Sequence, residues 1–236
     1  MKGVAGGVYE EWCSRRVAGA VVWRREALPD ARRVRVLPDG CTDLIWTVGG
    51  LLVAGPDTRA QLTGESPGTG YVGLRFAPGT GPRVLGVPAN ELRDARVPLD
   101  ALWPEREVRE LAERVAGAPD PARVLEEVAV GRLRRTPDDP PVRAVVERLR
   151  TGAGVAAVAD AVGLSERQLY RRSLAAFGYG PKTLARVLRL DGALRLARAG
   201  VPAASVAARA GYADQAHLSR EVRALAGVQL SALLAD

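Results

Sequence analysis

Histidine, cysteine and lysine are nearly missing from this 236-residue chain, and each scarcity removes a class of chemistry. The single histidine, His217, leaves little material for a Ser/His nucleophile or a His-ligated metal centre. The two cysteines, Cys13 and Cys41, are too few for a disulfide framework and lack the paired spacing of a zinc site, so both are expected to stay as thiols. Lys2 and Lys182 are the only lysines, so the basic character rests on arginine. No apolar run approaches the roughly 20 residues that span a bilayer. The start, Met1 to Glu11, turns acidic before any signal-like apolar stretch develops. These absences point to a cytoplasmic protein that is not an enzyme, needs no cofactor or metal, and has no membrane partner.

What is present is a globular composition, 47% apolar and 26% charged, with a net charge of +7 and a pI near 10.1. The surplus is unevenly placed. Residues 139–236 hold fourteen Arg or Lys against eight Asp or Glu, which is six of the seven excess positive charges. A basic C-terminal region suits a nucleic-acid partner, although a basic surface alone does not prove one.

The hydrophobic period divides the chain. Through about residue 100, β-branched and aromatic runs recur: Val17–Arg24, Arg33–Leu37, Asp43–Val48, Leu51–Ala54 and Tyr71–Phe76. Turn signals such as Pro38-Asp39-Gly40, Gly49-Gly50 and Gly55-Pro56-Asp57 separate them, which predicts a small barrel or sandwich with one short helix near Pro88–Arg93. From Glu105 the period is helical, with one stripe at Val108, Leu111, Ala112 and Val115 and a second at Leu125, Val128, Ala129 and Leu133. These two helices are expected to pack on the barrel or on another subunit. Arg134–Pro141 reads as a linker because its prolines oppose a continuous helix. The division is therefore 1–103 β-rich, 104–138 helical connector and linker, and 139–236 all-helical, an α+β chain.

After a packing helix at Val142–Leu149, one pattern appears twice. Ala159-x-x-x-Gly163 matches Ala207-x-x-x-Gly211, and beyond the turn Ser165, Leu169, Arg171 and Gly178 match Asp214, Leu218, Arg220 and Gly227 with one extra turn residue. Each position has a mechanical reason. Two short helices crossing steeply need a small residue at the crossing, supplied by Ala159 and Ala207. The first helix ends on a glycine able to turn left-handed. Ser165, with Gln168 at the capping-box distance, and Asp214 cap the second helix. Leu169 and Leu218 then face inward, while Arg167, Tyr170 and Arg171 in one copy and Gln215, His217 and Arg220 in the other face outward near a helix N-terminus, the part of a recognition helix that meets base edges. Pro181–Arg198 joins the copies as one helix, with Leu184, Val187, Leu188, Leu194 and Ala197 on one face. Its length is roughly 27 Å at 1.5 Å per residue, comparable with the ~34 Å between successive major-groove openings.

These residues resemble the AraC/XylS family of bacterial transcription regulators. The likeness is carried by Ala159-x-x-x-Gly163-Leu164-Ser165 with Leu169-x-Arg171, and by Gly211-Tyr212-x-Asp214-Gln215-x-His217-Leu218-Ser219-Arg220 followed by Gly227. Ser173 departs from it, standing where the pattern has a large apolar residue and the second copy has Val222. Residues 8–103 are similar to the uncharacterised β-rich domain of many actinobacterial regulators, through Leu37-Pro38-Asp39-Gly40-Cys41-Thr42-Asp43-Leu44-Ile45, Ala54-Gly55-Pro56-Asp57-Thr58 and Leu74-Arg75-Phe76-x-Pro78-Gly79. The resemblance implies a cupin-like sensor or interaction domain joined to a double helix-turn-helix. It implies double-stranded promoter or operator DNA as partner, and leaves room for a small-molecule effector, RNA polymerase and a second copy of the chain.

The remaining chemistry-bearing residues have ordinary explanations beside functional ones. Trp23, Cys41 and Trp46, with Trp103, are candidates for an effector pocket, yet aromatics in a β core are the default. Asp39 and Asp43 look like a metal pair, but a turn hydrogen bond and a strand-start contact account for them. Gly6-Gly7 and Gly49-Gly50 lack the context of a phosphate loop. Lys182, Arg186 and Arg189 suit solvent or phosphate. Two rival functions stand: an N-terminal half that binds a protein partner and no small ligand, and a DNA-repair enzyme using Cys41 as alkyl acceptor.

Overall fold

The computed structural model describes residues 9–27, 33–64 and 68–235, so Gly6-Gly7 lies outside the described residues. Among those described, β1 (Tyr9–Cys13), β2 (Val21–Glu26), β4 (Thr42–Thr47), β5 (Gly50–Ala54), β7 (Gly70–Phe76) and β8 (Arg96–Pro98) form one antiparallel sheet in the order β1-β2-β7-β4-β5-β8. β3 (Arg33–Val36) and β6 (Gln61–Gly64) pair as a separate ribbon.

Alternation sorts the sheet's side chains into two faces. Val22, Leu74, Leu44 and Val53 stand opposite one another across four strands, and all are fully buried. Trp46 shares their face. One residue along, Trp23 lies on the other face over Gly73, where a Cβ would meet the indole at 2.1 Å. Trp23 and Trp46 therefore point to opposite sides of the sheet and cannot line one pocket with Cys41, which corrects the trio grouped from sequence. Trp103 belongs to the Leu44 side. Its indole N–H donates to the Leu85 carbonyl at 2.9 Å, and the Arg132 guanidinium lies 3.5 Å from its ring centroid.

Three helices cover that apolar face: α1 (Gly81–Leu85), α2 (Glu105–Ala116) and α3 (Pro121–Leu133). Val108, Leu111, Val115, Leu125 and Ala129 join the sheet's core, so the helical pair packs on the sheet of its own chain. The anticipated helix near Pro88–Arg93 is a single 3-10 turn, Ala89–Glu91. The run beginning at Val17 becomes a strand only at Val21, because the Ser14 hydroxyl accepts the Val17 N–H at 2.9 Å and holds a turn there.

The stretch read as a linker is short and fastened. Arg83 of α1 pairs with Asp138 at 2.9 Å and donates to the Thr136 carbonyl at 3.0 Å, and Thr136 returns a bond to the Arg83 carbonyl. Pro140 and Pro141 do not extend the linker. They open α4 (Pro140–Arg150), with Asp139 as N-cap, where their missing N–H groups cost nothing. Then follow α5 (Val155–Ala161), α6 (Glu166–Phe177), α7 (Pro181–Arg198), α8 (Ala203–Arg209), α9 (Gln215–Ala226) and α10 (Leu230–Ala235). Two cores result. One gathers α4, α5, α6 and the front of α7 through Leu188, and the other gathers the rest of α7 from Leu190 with α8, α9 and α10. Among the described residues no helix is long and apolar enough to cross a membrane.

Candidate nucleic-acid interface

The two helix pairs, α5 with α6 and α8 with α9, share one backbone plan. Gly163 has φ +68° and Gly211 φ +76°, and each lets the chain reverse so that the following N–H reaches back to the crossing alanine. Leu164 N donates to Ala159 O and Tyr212 N to Ala207 O, both at 2.9 Å. Ala159 and Ala207 are buried at the crossings.

The caps differ in chemistry and agree in effect. Ser165 accepts the Gln168 N–H at 3.3 Å while Gln168 Oε1 accepts the Ser165 N–H at 2.9 Å, a complete capping box. Asp214 accepts the His217 N–H at 2.6 Å. The extra turn residue, Ala213, donates its N–H to His217 Nδ1 at 3.3 Å, and the imidazole stands edge-on to Tyr212 at 5.3 Å. Burial pushes the Tyr212 hydroxyl up to about 12, against the pull of Arg189 above its ring, so it stays neutral.

The caps aim the next turns of α6 and α9 outward. Arg167, Tyr170, Arg171, Gln215 and Arg220 are exposed, whereas His217 is half-buried with one ring nitrogen spent inside the turn. Other arginines nearby are occupied: Arg172 pairs with Asp139 at 2.6 Å, and Arg186 grips Glu221 through two bonds of 2.8 and 3.1 Å. That hydrogen bonding holds the Glu221 carboxyl below its ordinary value.

Two N-terminal residues that sequence reasoning did not single out reach the far ends of these same helices. Arg35 of β3 donates to the Ala226 carbonyl at the end of α9 at 2.9 Å, beside an Ala60 N–H to Leu225 O bond of 2.6 Å. Arg93 donates to the Gly178 carbonyl at the end of α6 at 3.4 Å. No local pattern marks these arginines, because their partners lie 85 to 191 residues away.

Trp23, Asp39, Cys41 and Asp43 form a polar cluster with Arg75 on the Trp23 side of the sheet. Trp23 Nε1 donates to Asp43 at 2.6 Å, Asp39 accepts the Cys41 N–H at 2.9 Å, and Arg75 Nε lies 3.4 and 3.3 Å from Asp39 and Asp43. Burial, with the Asp39 charge beside it, pushes the Cys41 thiol up, so it remains protonated and a poor nucleophile. Among the described residues, no group of three or more His, Cys, Asp or Glu is placed to hold a metal ion. Asp57 of the Gly-Pro-Asp-Thr motif is structural, making two bonds of 2.8 and 2.6 Å to Arg96 of β8.

Comparison with known proteins finds likeness to two families in separate stretches of the chain. Residues 158–236 match the family described as "Helix-turn-helix domain", and residues 19–98 match "Domain of unknown function (DUF6597)". No curated protein matches the sequence. Among solved structures, ToxT from Vibrio cholerae is similar with a TM-score of 0.50 at 12% identity, covering 96% of this chain and 97% of that one. ToxT from Vibrio cholerae O395 bound to (E)-4-(8-methylnaphthalen-1-yl)but-3-enoic acid gives 0.50 at 13% identity, covering 96% and 98%. At such identities the likeness is one of fold.

Proposed function

We propose that this chain, a DNA-binding transcription regulator of the AraC type, reads two successive major-groove segments of a cytoplasmic promoter with α6 and α9. The observation that carries the reading is positional. Arg171 and Arg220 occupy the same exposed site on two recognition helices with matching turns and caps. An arginine there suits bidentate contact with guanine. Arg167, Tyr170 and Gln215 flank them, and His217 keeps only Nε2 for a base or phosphate.

Modulation by the N-terminal half is supported by Arg35, Ala60 and Arg93, which tie that half to the C-terminal ends of both recognition helices. A small molecule or partner that shifts these contacts would shift the helices with them. The acid held by a ToxT structure makes a small ligand the first class to try.

Selection of bound DNA followed by mobility-shift titration tests the reading. Specific binding that weakens steeply with salt, and fails in the Arg171→Ala, Arg220→Ala double variant, is the expected result. Absence of any preferred site, or affinity indifferent to both changes, would overturn it. A ligand-induced thermal shift of the full chain separates small-molecule control from control by a protein partner.

A further inference from the structure

Gly180 is the N-cap residue of α7, a position where glycine is common. Ser, Thr, Asp or Asn at an N-cap would accept a free helix N–H, and Gly180 supplies no side-chain cap. Its backbone does not require glycine either, since φ −68° and ψ 163° are open to any residue. What glycine provides is room. A Cβ on Gly180 would lie 2.5 Å from Cε2 and 2.8 Å from Cδ2 of Tyr170. The phenol ring therefore rests directly on the α7 backbone, while the side chain as a whole stays 51% exposed. An exposed aromatic on a recognition helix is thus buttressed from behind, with its entropy of ordering already spent in the free protein.

The second unit has no counterpart. The position matching Tyr170 is Ser219, whose hydroxyl donates back to the Gln215 carbonyl of its own helix at 2.9 Å. The position matching Arg167 is Ala216. Tyr170 lies on the same face of α6 as Arg167, three residues before it, and Arg171, one turn on from Arg167, is exposed on the adjoining face. A flat apolar surface held beside a guanine-reading arginine matches one feature of the major groove, the C5 methyl of thymine.

We propose that Tyr170, fixed against Gly180, is a specificity determinant that contacts a thymine methyl in the half-site read by α6, and that the half-site read by α9 lacks this requirement. The inference rests on the DNA-reading function proposed above. Its test uses the full chain and the selected duplex, with each thymine replaced in turn by deoxyuridine, which deletes only the methyl. The α6 half-site is identified as the one where Arg171→Ala relaxes base preference.

At one thymine of that half-site the methyl deletion lowers wild-type affinity by about fourfold, the scale of one methyl group buried from water. Tyr170→Phe keeps the discrimination. Tyr170→Ser, copying Ser219, erases it, and so does Gly180→Ser, which adds a cap while displacing the ring. The proposal is overturned if no thymine methyl in the α6 half-site matters, or if Tyr170→Ser leaves the methyl effect intact. It is equally overturned if Tyr170→Ser weakens all sequences alike, the behaviour of a contact to the sugar-phosphate backbone, or if Gly180→Ser leaves the methyl effect unchanged. Specific binding with a silent Tyr170 removes this inference alone, whereas a wild-type chain without sequence preference removes the DNA reading as well.

Discussion

At positions 172 and 173 the first helix-turn-helix unit has Arg and Ser; at the matching positions the second has Glu221 and Val222. Arg172 faces Asp139 at the start of α4, Glu221 faces Arg186 on α7, and the two ion pairs run with opposite polarity. The helices bearing these residues nevertheless have equal lengths, seven and twelve residues in each unit, with left-handed glycines at the same turns. The frame depends on a few local requirements: a small crossing residue, a glycine, a cap and an inward leucine. Positions outside that frame have diverged between the units, as Arg172 and Glu221 show.

The inward position is where the comparison breaks hardest. Val222 is fully buried, and Val222→Ser would remove apolar packing and strand a hydroxyl in the core, costing about 3 kcal/mol. Ser173 is also buried, and among the described residues its hydroxyl has no hydrogen-bond partner. Ser173→Val should move the opposite way, stabilising by about 1 kcal/mol. Denaturant titration of the two variants measures both, and equal effects of one sign would refute the distinction.

At the exposed position the units should behave alike. Arg171→Ala and Arg220→Ala each remove about 2 kcal/mol of base discrimination, confined to different half-sites. A loss spread evenly over all sequences would reassign either arginine to phosphate.

The C-terminal ends of α6 and α9 separate the units again. Gly178 and Gly227 both have positive φ, +84° and +74°, so an alanine carries a backbone penalty of about 1 kcal/mol at either. A Cβ on Gly178 would also lie 2.7 Å from Pro56 and 3.1 Å from the Ala89 carbonyl, whereas on Gly227 it would meet, among the described residues, only the Arg35 guanidinium at 3.4 Å. Gly178→Ala is therefore the costlier change, by about another 1 kcal/mol. Thermal unfolding of the pair would show it, and identical melting would mean that the first unit is not seated on the N-terminal half.

How much was readable from residues alone follows the same local-to-distant gradient. The double unit was legible to within a residue or two, since its glycines, Ser165–Gln168 and Asp214 act over three to five positions. The central strands were legible from alternation. β1, β6 and β8 were not: Tyr9–Cys13 lies on the exposed edge, Gln61–Gly64 is polar, and Arg96–Pro98 is three residues long. α1 and α10, five and six residues long, are too short to show a period. The outward arginines were found because their positions recur. Trp46 was misplaced relative to Trp23 because a single odd-numbered separation between strands in register sends side chains to opposite faces, and register is set by partners far along the chain.

The smallest expected effect concerns the charge pair peculiar to the second unit. Hydrogen bonding and charge from Arg186 hold the folded Glu221 carboxyl below its ordinary value of 4.5, with His217 and Arg189 adding to the pull against burial. A carboxyl depressed by folding contributes stability above its unfolded value and loses that contribution as pH falls through the folded one. Arg186 is 43% exposed, so solvent screening limits the pair to about 0.5 kcal/mol. Glu221→Gln should therefore loosen α9 slightly at pH 7, and the gap from wild type should close as the solution is acidified below about 4.5. Hydrogen exchange of α9 amides at the two pH values reads this directly. A gap that persists in acid would mean that Glu221 supports the helix by packing, and that the reversed polarity of the two units carries no electrostatic consequence.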